Sequence, residues 1–300
     1  NSKQPRKLWS ALNSLLSRNI PLSLPSATSF SELASSFLAF FENKVKKLCS
    51  VFIPTISGAI SPHIHPPTSP PLLHCLSPAT PDEVRNAILN SSDSTCSLDV
   101  IPTVLLKSCL DALLMPITTL INFCLAEGSF PSEYKHAIVK PLLKKHNLPP
   151  EDLSSYRPIS NLNFVSKILE RIIHIRITTH LQTFPSIAPY QSAYRPFHST
   201  ETALLRIQND LLLAINKQKV SALVLLDLSA AFDTIDHKIL LERLSSFFGI
   251  TGLALNLISS YLSDRTQSVS INANLSTPSS VLTCIPQGSV LGPLLFTLYT

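Results

Sequence analysis

Val220-Ser-Ala-Leu-Val-Leu-Leu-Asp-Leu-Ser-Ala-Ala-Phe-Asp233 is the stretch whose reading decides the rest of this chain. From Val220 to Leu226 it is a short, almost uninterrupted apolar run, the pattern of a strand buried on both faces, and Asp227 falls at its end. A carboxylate at the end of a buried strand is rigidly held and faces a cleft, as binding a divalent cation for phosphoryl transfer requires. Taken alone, an Asp after a strand is more often a helix cap or turn former. What surrounds it changes the weighing.

Upstream, helical spacing covers 201–217; downstream, a helix is predicted from Asp236 to Phe248 with Gly249 as its stop. Residues 267–272 alternate polar and apolar as a half-exposed strand does, and 281–284 lead into a turn that opens a last helix. That turn, Ile285-Pro-Gln-Gly-Ser-Val-Leu-Gly-Pro293, holds two of only six glycines in the chain, so the backbone there must come close to something. By itself it also fits a plain tight turn into a helix.

Further towards the N-terminus, Ser29-Phe-Ser-Glu32 reads as a capping box opening an amphipathic helix over 29–49. Eight of the 24 prolines crowd into 54–81 with Ser, Thr and the pair His63 and His65, the composition of a linker. The histidines could bind a metal, but without further ligands nearby a surface tract is the better explanation. Thr80-Pro-Asp-Glu83 marks a helix start, helical pattern dominates to Gly128, and Ser160 is expected to cap a long helix whose apolar side is Phe164, Ile168, Leu169, Ile172, Ile175 and Leu181. The architecture predicted is α+β, helices early and strands late.

Charged residues are only 14% of the 300, yet the window 135–200 holds nine Lys and Arg against three acids. Such a field suits a polyanion, although a solvated face produces the same run. Six cysteines without CxxC spacing point to a reduced, intracellular protein. Pro116 and two threonines interrupt the apolar stretch 112–126, so no transmembrane helix is expected.

In order, the chain carries Lys140-Pro-Leu-Leu-Lys144-Lys145, Ser155-Tyr-Arg157-Pro-Ile-Ser160, Gln191-Ser-Ala-Tyr-Arg195-Pro, Asp227-Leu-Ser-Ala-Ala-Phe232-Asp233 and Pro286-Gln287-Gly288-Ser289-Val-Leu-Gly292-Pro293. This series resembles the fingers and palm motifs of reverse transcriptases from LINE-type (non-LTR) retrotransposons, over about residue 97 to the last. The resemblance implies a right-hand polymerase fold, with fingers and the first part of the palm in 83–300, a helical spacer in 1–53 and a Pro/Ser-rich linker in 54–82. It implies an RNA-directed DNA polymerase working by two-metal nucleotidyl transfer with an RNA template, a DNA primer or target and deoxynucleoside triphosphates. No membrane is involved, and a nuclear and cytoplasmic ribonucleoprotein is the expected setting.

By the same resemblance Asp227 is the first of three catalytic aspartates and binds two Mg2+ ions together with the carbonyl of Leu228. Phe232 is the aromatic gate beneath the incoming sugar; outside the motif it would read as a core Phe. Gln287 and Gly288 form the turn that packs on nucleotide and template, and Arg195 sits near the template backbone. Lys144 and Arg157 neutralise the triphosphate, Arg's planar fork suiting phosphate oxygens, with the register between Lys144 and Lys145 left open. The family usually has Gly where Ala193 and Cys284 stand. Its Asp-Asp hairpin and thumb are expected beyond Thr300, so these residues are expected to be inactive alone. The competing expectation is a non-catalytic remnant that retains nucleic-acid binding.

Overall fold

A computed structural model describes residues 24–56, 70–145, 147–184, 188, 190–228, 230–281 and 283–300. His63 and His65 lie outside the described residues.

The sheet is built around β1 (His136–Leu143), which pairs antiparallel with β2 (Tyr156–Asn161) and parallel with β3 (Arg265–Ile271). Two short strands, β4 (Asn274–Leu275) and β5 (Ser279–Val281), both pair with β3. Helices early and strands late is therefore corrected: β1 and β2 fall near the middle of the chain, ahead of five of the α-helices. Prolines hid them. Pro141 and Pro158 face each other across the β1–β2 ladder, and two residues without an N–H can do so only at a non-hydrogen-bonded pair. Pro141 also lies past the β3 pairing, which covers His136 to Val139 on β1, so no donor is missed there.

Helix α1 (Phe30–Ile56) starts where Ser29 accepts the N–H of Glu32. Its apolar stripe of Leu33, Ala34, Phe37, Leu38 and Phe41 packs on Val139, Tyr156, Val269 and Ile271 of the sheet. The Phe37 and Tyr156 rings meet edge to face at 4.9 Å. The helix expected as a separate spacer thus shares a core with the sheet.

The other core is helical. It joins α2 (Pro81–Leu89), α3 (Thr103–Ser108), α4 (Leu110–Glu127), α5 (Phe164–Leu181), α7 (His237–Ser246), α8 (Gly252–Leu262) and α9 (Gly292–Tyr299), whereas α6 (Thr200–Asn216) is exposed and contributes nothing to it. Helix α4 runs through Pro116, and among the described residues it is long and apolar enough to cross a membrane. Seven of its side chains are buried in this core, which outweighs the roughly 3 kcal/mol a mid-helix proline costs. Asn163, not Ser160, caps α5, accepting the N–H groups of Val165 and Ser166; Ser160 belongs to β2 instead. Ile175 is exposed, and Ile173 and Ile177 take its expected place in the core.

The later part of the expected linker is also structured. Leu73 pairs with Ile250, Leu76 and Ala79 are buried, and Gly249 at φ +65° lets the Pro71 carbonyl approach to 2.2 Å of where a Cβ would stand. The largest departure is 220–226, which is in no strand; Val220, Val224, Leu225 and Leu226 are exposed. A strand needs a ladder partner and covered faces, and among the described residues none lies beside this segment.

Thr80 and Glu83 form the capping box at the start of α2, and Arg176 grips Glu83 with two hydrogen bonds of 2.9 and 2.8 Å while holding the Ser77 and Pro78 carbonyls. The Arg176 guanidinium, then the Thr80 N–H, lowers the Glu83 carboxyl from 4.5 to about 2. A depressed carboxylate stabilises the fold above its unfolded value and loses that contribution as pH falls through the folded one. Thermal unfolding at a series of pH values should show Glu83→Gln flattening the decline in stability between about 4.5 and about 2; an unchanged slope there counts against the pair.

Candidate functional site

The turn at Pro286–Ser289 is held from two directions. The Ser160 N–H, at the end of β2, donates to the Gln287 carbonyl at 2.7 Å. Gly288 has φ +123°, and a Cβ there would stand 2.5 Å from the Ser160 carbonyl oxygen, so only glycine fits. On the other side the Ile285 N–H donates to the Phe232 carbonyl at 3.0 Å and the Cys284 N–H to that of Ile235 at 3.4 Å. Two motifs about fifty residues apart are thereby tied by their backbones.

Phe232 is half-buried, its ring 5.1 Å from Phe296 of α9 and 6.4 Å from Tyr194. Tyr194 brings in the loop that carries Arg195, whose side chain is exposed and reaches back to the Gln191 carbonyl at 3.4 Å. Asp233 lies half-buried in the same segment; burial pushes its carboxyl up, and the charge of Lys44 on α1 pulls the other way. Cys284 holds φ +88°, a region that favours glycine, and burial with the neighbouring Asp233 pushes its thiol up to about 12. All six cysteines are free thiols.

A second group sits at the sheet edge. Lys144 continues β1, its ammonium donating to the Ser154 carbonyl at 2.7 Å. Burial, then the charges of Lys44 and Arg157, holds its pKa below the usual lysine range. Three cations thus converge where a polyanion would relieve their repulsion.

Asp227 and Leu228 stand apart. Both are exposed, and among the described residues the Asp227 carboxylate has no hydrogen bond or ion pair. The structure brings together Phe232, Gln287 and Gly288, and separately Lys144 and Arg157, but it shows no contact between Asp227 and the turn. The Asp227 carboxylate and the Leu228 carbonyl are hard oxygen donors of the kind Mg2+ takes, alongside substrate phosphates. No three His, Cys, Asp or Glu side chains cluster as a ready metal cage among the described residues. The residues fit the ion in donor type.

Lys44, Asp233 and Glu170 were missed in the sequence. For Glu170 a signal existed, an acid inside the apolar face Ile168-Leu169-Glu170-Arg171-Ile172-Ile173; for Lys44 there was none, since its helix lies far from the motifs.

Compared with known families, residues 143–300 match the model of reverse transcriptase (RNA-dependent DNA polymerase). The chain belongs to the reverse transcriptase family. Its LINE-type character follows from its relatives. A probable RNA-directed DNA polymerase from transposon X-element of Drosophila melanogaster is 32% identical over 231 residues, 75% of this chain and 25% of that protein. The RNA-directed DNA polymerase from mobile element jockey of the same species is 31% identical over 225 residues, 75% of this chain and 24% of that protein. More distant is a retrovirus-related Pol polyprotein from type-1 retrotransposable element R2 of Popillia japonica, 26% identical over 49% of this reverse transcriptase chain and 20% of its own length. The chain spans about a quarter of the length of the first two.

Gly288→Ala should lower the unfolding free energy by about 1–3 kcal/mol, the cost of a non-glycine residue in such a backbone region, read from denaturant unfolding. Loss of the 2.7 Å Ser160–Gln287 bond should accompany it, as faster amide exchange at Ser160.

Proposed function

We propose that this chain carries the nucleotide-selecting part of an RNA-directed DNA polymerase, with the sheet and α5 as fingers, 227–233 and 283–299 as the first part of the palm, and α1 as a spacer folded onto the fingers. The observation that supports it best is the backbone link between Phe232 and Ile285, which sets the gate aromatic beside the Gln287–Gly288 turn. The relatives are named RNA-directed DNA polymerases, which supports an RNA template and deoxynucleoside triphosphates as substrates; a DNA primer or target completes the reading.

In this reading Lys144 and Arg157 neutralise the triphosphate at the sheet edge. The Phe232 ring, braced by Phe296, sits under the sugar and leaves no room for a 2′ hydroxyl. The Gln287–Gly288 turn packs against the base pair being formed, and Arg195 steadies the template backbone. Asp227 and the Leu228 carbonyl would hold Mg2+. That ion, when bound, supplies Lewis acidity to the phosphoryl oxygens and lowers the pKa of the primer hydroxyl. The carboxylate's part is to hold charge and orient oxygens, and its exposure leaves it open to a ligand.

The test is primer extension on an RNA template by the complete reading frame that contains this sequence. Asp227→Asn should lower the rate by roughly a thousandfold, as removal of a group that stabilises transition-state charge does, with template–primer affinity unchanged. Phe232→Ala should raise ribonucleotide incorporation. Equal rates for Asp227→Asn and the parent would defeat the catalytic assignment, and salt-dependent binding without any synthesis would favour the non-catalytic remnant.

A further inference from the structure

Helix α5 buries Leu169, Ile172, Ile173 and Ile177, and with them Glu170, whose exposure is 0%. A carboxylate stripped of water costs heavily unless directed partners offset the loss. Its partners lie 120 and 121 residues away in sequence. Glu170 Oε2 accepts the backbone N–H of Val290 at 2.7 Å and of Leu291 at 3.1 Å.

Those N–H groups stand at the start of α9. The residue in capping position is Leu291, which has no side-chain oxygen, and no side-chain cap bond is made from it. The first turn of a helix leaves its donors without partners, and its positive end favours an anion. Ser289 satisfies one, its Oγ accepting the Gly292 N–H at 3.0 Å, and Glu170 reaches across from α5 for the two before it. Arg265, only 2% exposed, adds an opposite charge nearby and is itself held by the Tyr261 carbonyl at 2.9 Å. The Tyr261 hydroxyl lies beside Glu170 and Ser289 without completing a hydrogen bond.

Gln287 precedes Val290 by three residues. Its carbonyl is fixed by Ser160 on one side, and the backbone just past Ser289 is fixed by Glu170 on the other. Five residues of main chain with one glycine in a glycine-only conformation are clamped at both ends. We infer that Glu170 is a positioning residue for nucleotide binding: its carboxylate, acting as a cap supplied from another helix, holds the Gln287–Gly288 turn in the geometry on which nucleotide and template pack. The inference rests on the polymerase reading above.

Glu170→Met removes the acceptor while filling the volume, and Glu170→Gln keeps one acceptor oxygen. In RNA-templated primer extension by the complete reading frame, Glu170→Met should raise the KM for deoxynucleotide by about ten- to a hundredfold, the loss of two buried hydrogen bonds. Template–primer affinity should stay put, and Glu170→Gln should restore KM to within about threefold of the parent. Hydrogen exchange on the 300-residue chain should quicken at 288–292 in Glu170→Met and not in Glu170→Gln. A merely structural role would lower kcat with the folded fraction and leave KM alone, which overturns the proposal, as does unchanged exchange at 288–292. If Glu170→Met does not fold, Glu170→Leu, which also removes the acceptor, takes its place with the same two outcomes: raised KM with quickened exchange at 288–292 supports the acceptor role, and parental values of both overturn it. No synthesis by the parent sinks the polymerase reading, whereas synthesis with unchanged KM in Glu170→Met sinks this inference alone.

Discussion

One backbone hydrogen bond, from the Ser160 N–H to the Gln287 carbonyl, joins the sheet to the turn that carries the second half of the site. It exists only because residue 288 has no side chain: the Ser160 carbonyl oxygen occupies the space a Cβ would need, 2.5 Å away. The approach fixes more than one contact. β2 is held in register by β1, β1 by β3, and α1 covers all three, so the turn inherits the rigidity of the sheet. The same turn ties back to Phe232 through Ile285 and forward to α9 through Ser289. The backbone of Phe232 is thereby bonded to this frame, and its ring packs on Phe296 of α9.

How much of this was legible in the sequence depended on whether the signal was local. Thr80-Pro-Asp-Glu83, Asp236 and Gly249 announced helix ends correctly because caps and left-handed stops act within one turn. The motif order led to the family, and the family model then matched 143–300. β1 and β2 were missed because a proline in a strand is acceptable only where its missing N–H would face no ladder partner, as at the Pro141–Pro158 pair, a fact of pairing and not of either segment. Ser160 was read as a cap for a similar reason: a hydroxyl three residues before a helix fits that role until Asn163 takes it. Lys44 depended on distant partners and left no local trace, and Glu170 left only that of an acid inside an apolar face.

The charges follow a comparable logic. With so few ionisable residues, those that are buried or clustered carry most of the electrostatic structure. Lys144 and Arg157 flank the end of the β1–β2 ladder, and α1 brings Lys44 to them because the apolar stripe around Phe37 and Phe41 seats that helix on the sheet. Hydrophobic packing of a segment outside the motif series therefore shapes the field where a polyanion is expected. Lys44 also bears on Asp233, so the sheet-edge cations and the Phe232 segment share one electrostatic neighbour. The helix expected as a passive spacer contributes charge as well as core.

The apolar run before Asp227 shows the opposite case. Its composition is that of a strand covered on both faces, yet Leu225 and Leu226 are 80% and 89% exposed. β-propensity describes how a residue fits a pleated, covered surface, and it has no effect where no surface is offered. The sheet in this structure grows from β1 through β3 to β4 and β5, and among its described strands none runs beside 220–226. Helix α6, which leads into the run, exposes Leu204, Leu205, Leu212 and Ile215 in the same way. Two consecutive segments rich in apolar residues thus stand uncovered among the described residues. The carboxylate at the end of the run consequently lacks a rigid seat, while Phe232, five residues later, has its backbone fixed because Ile285 reaches it.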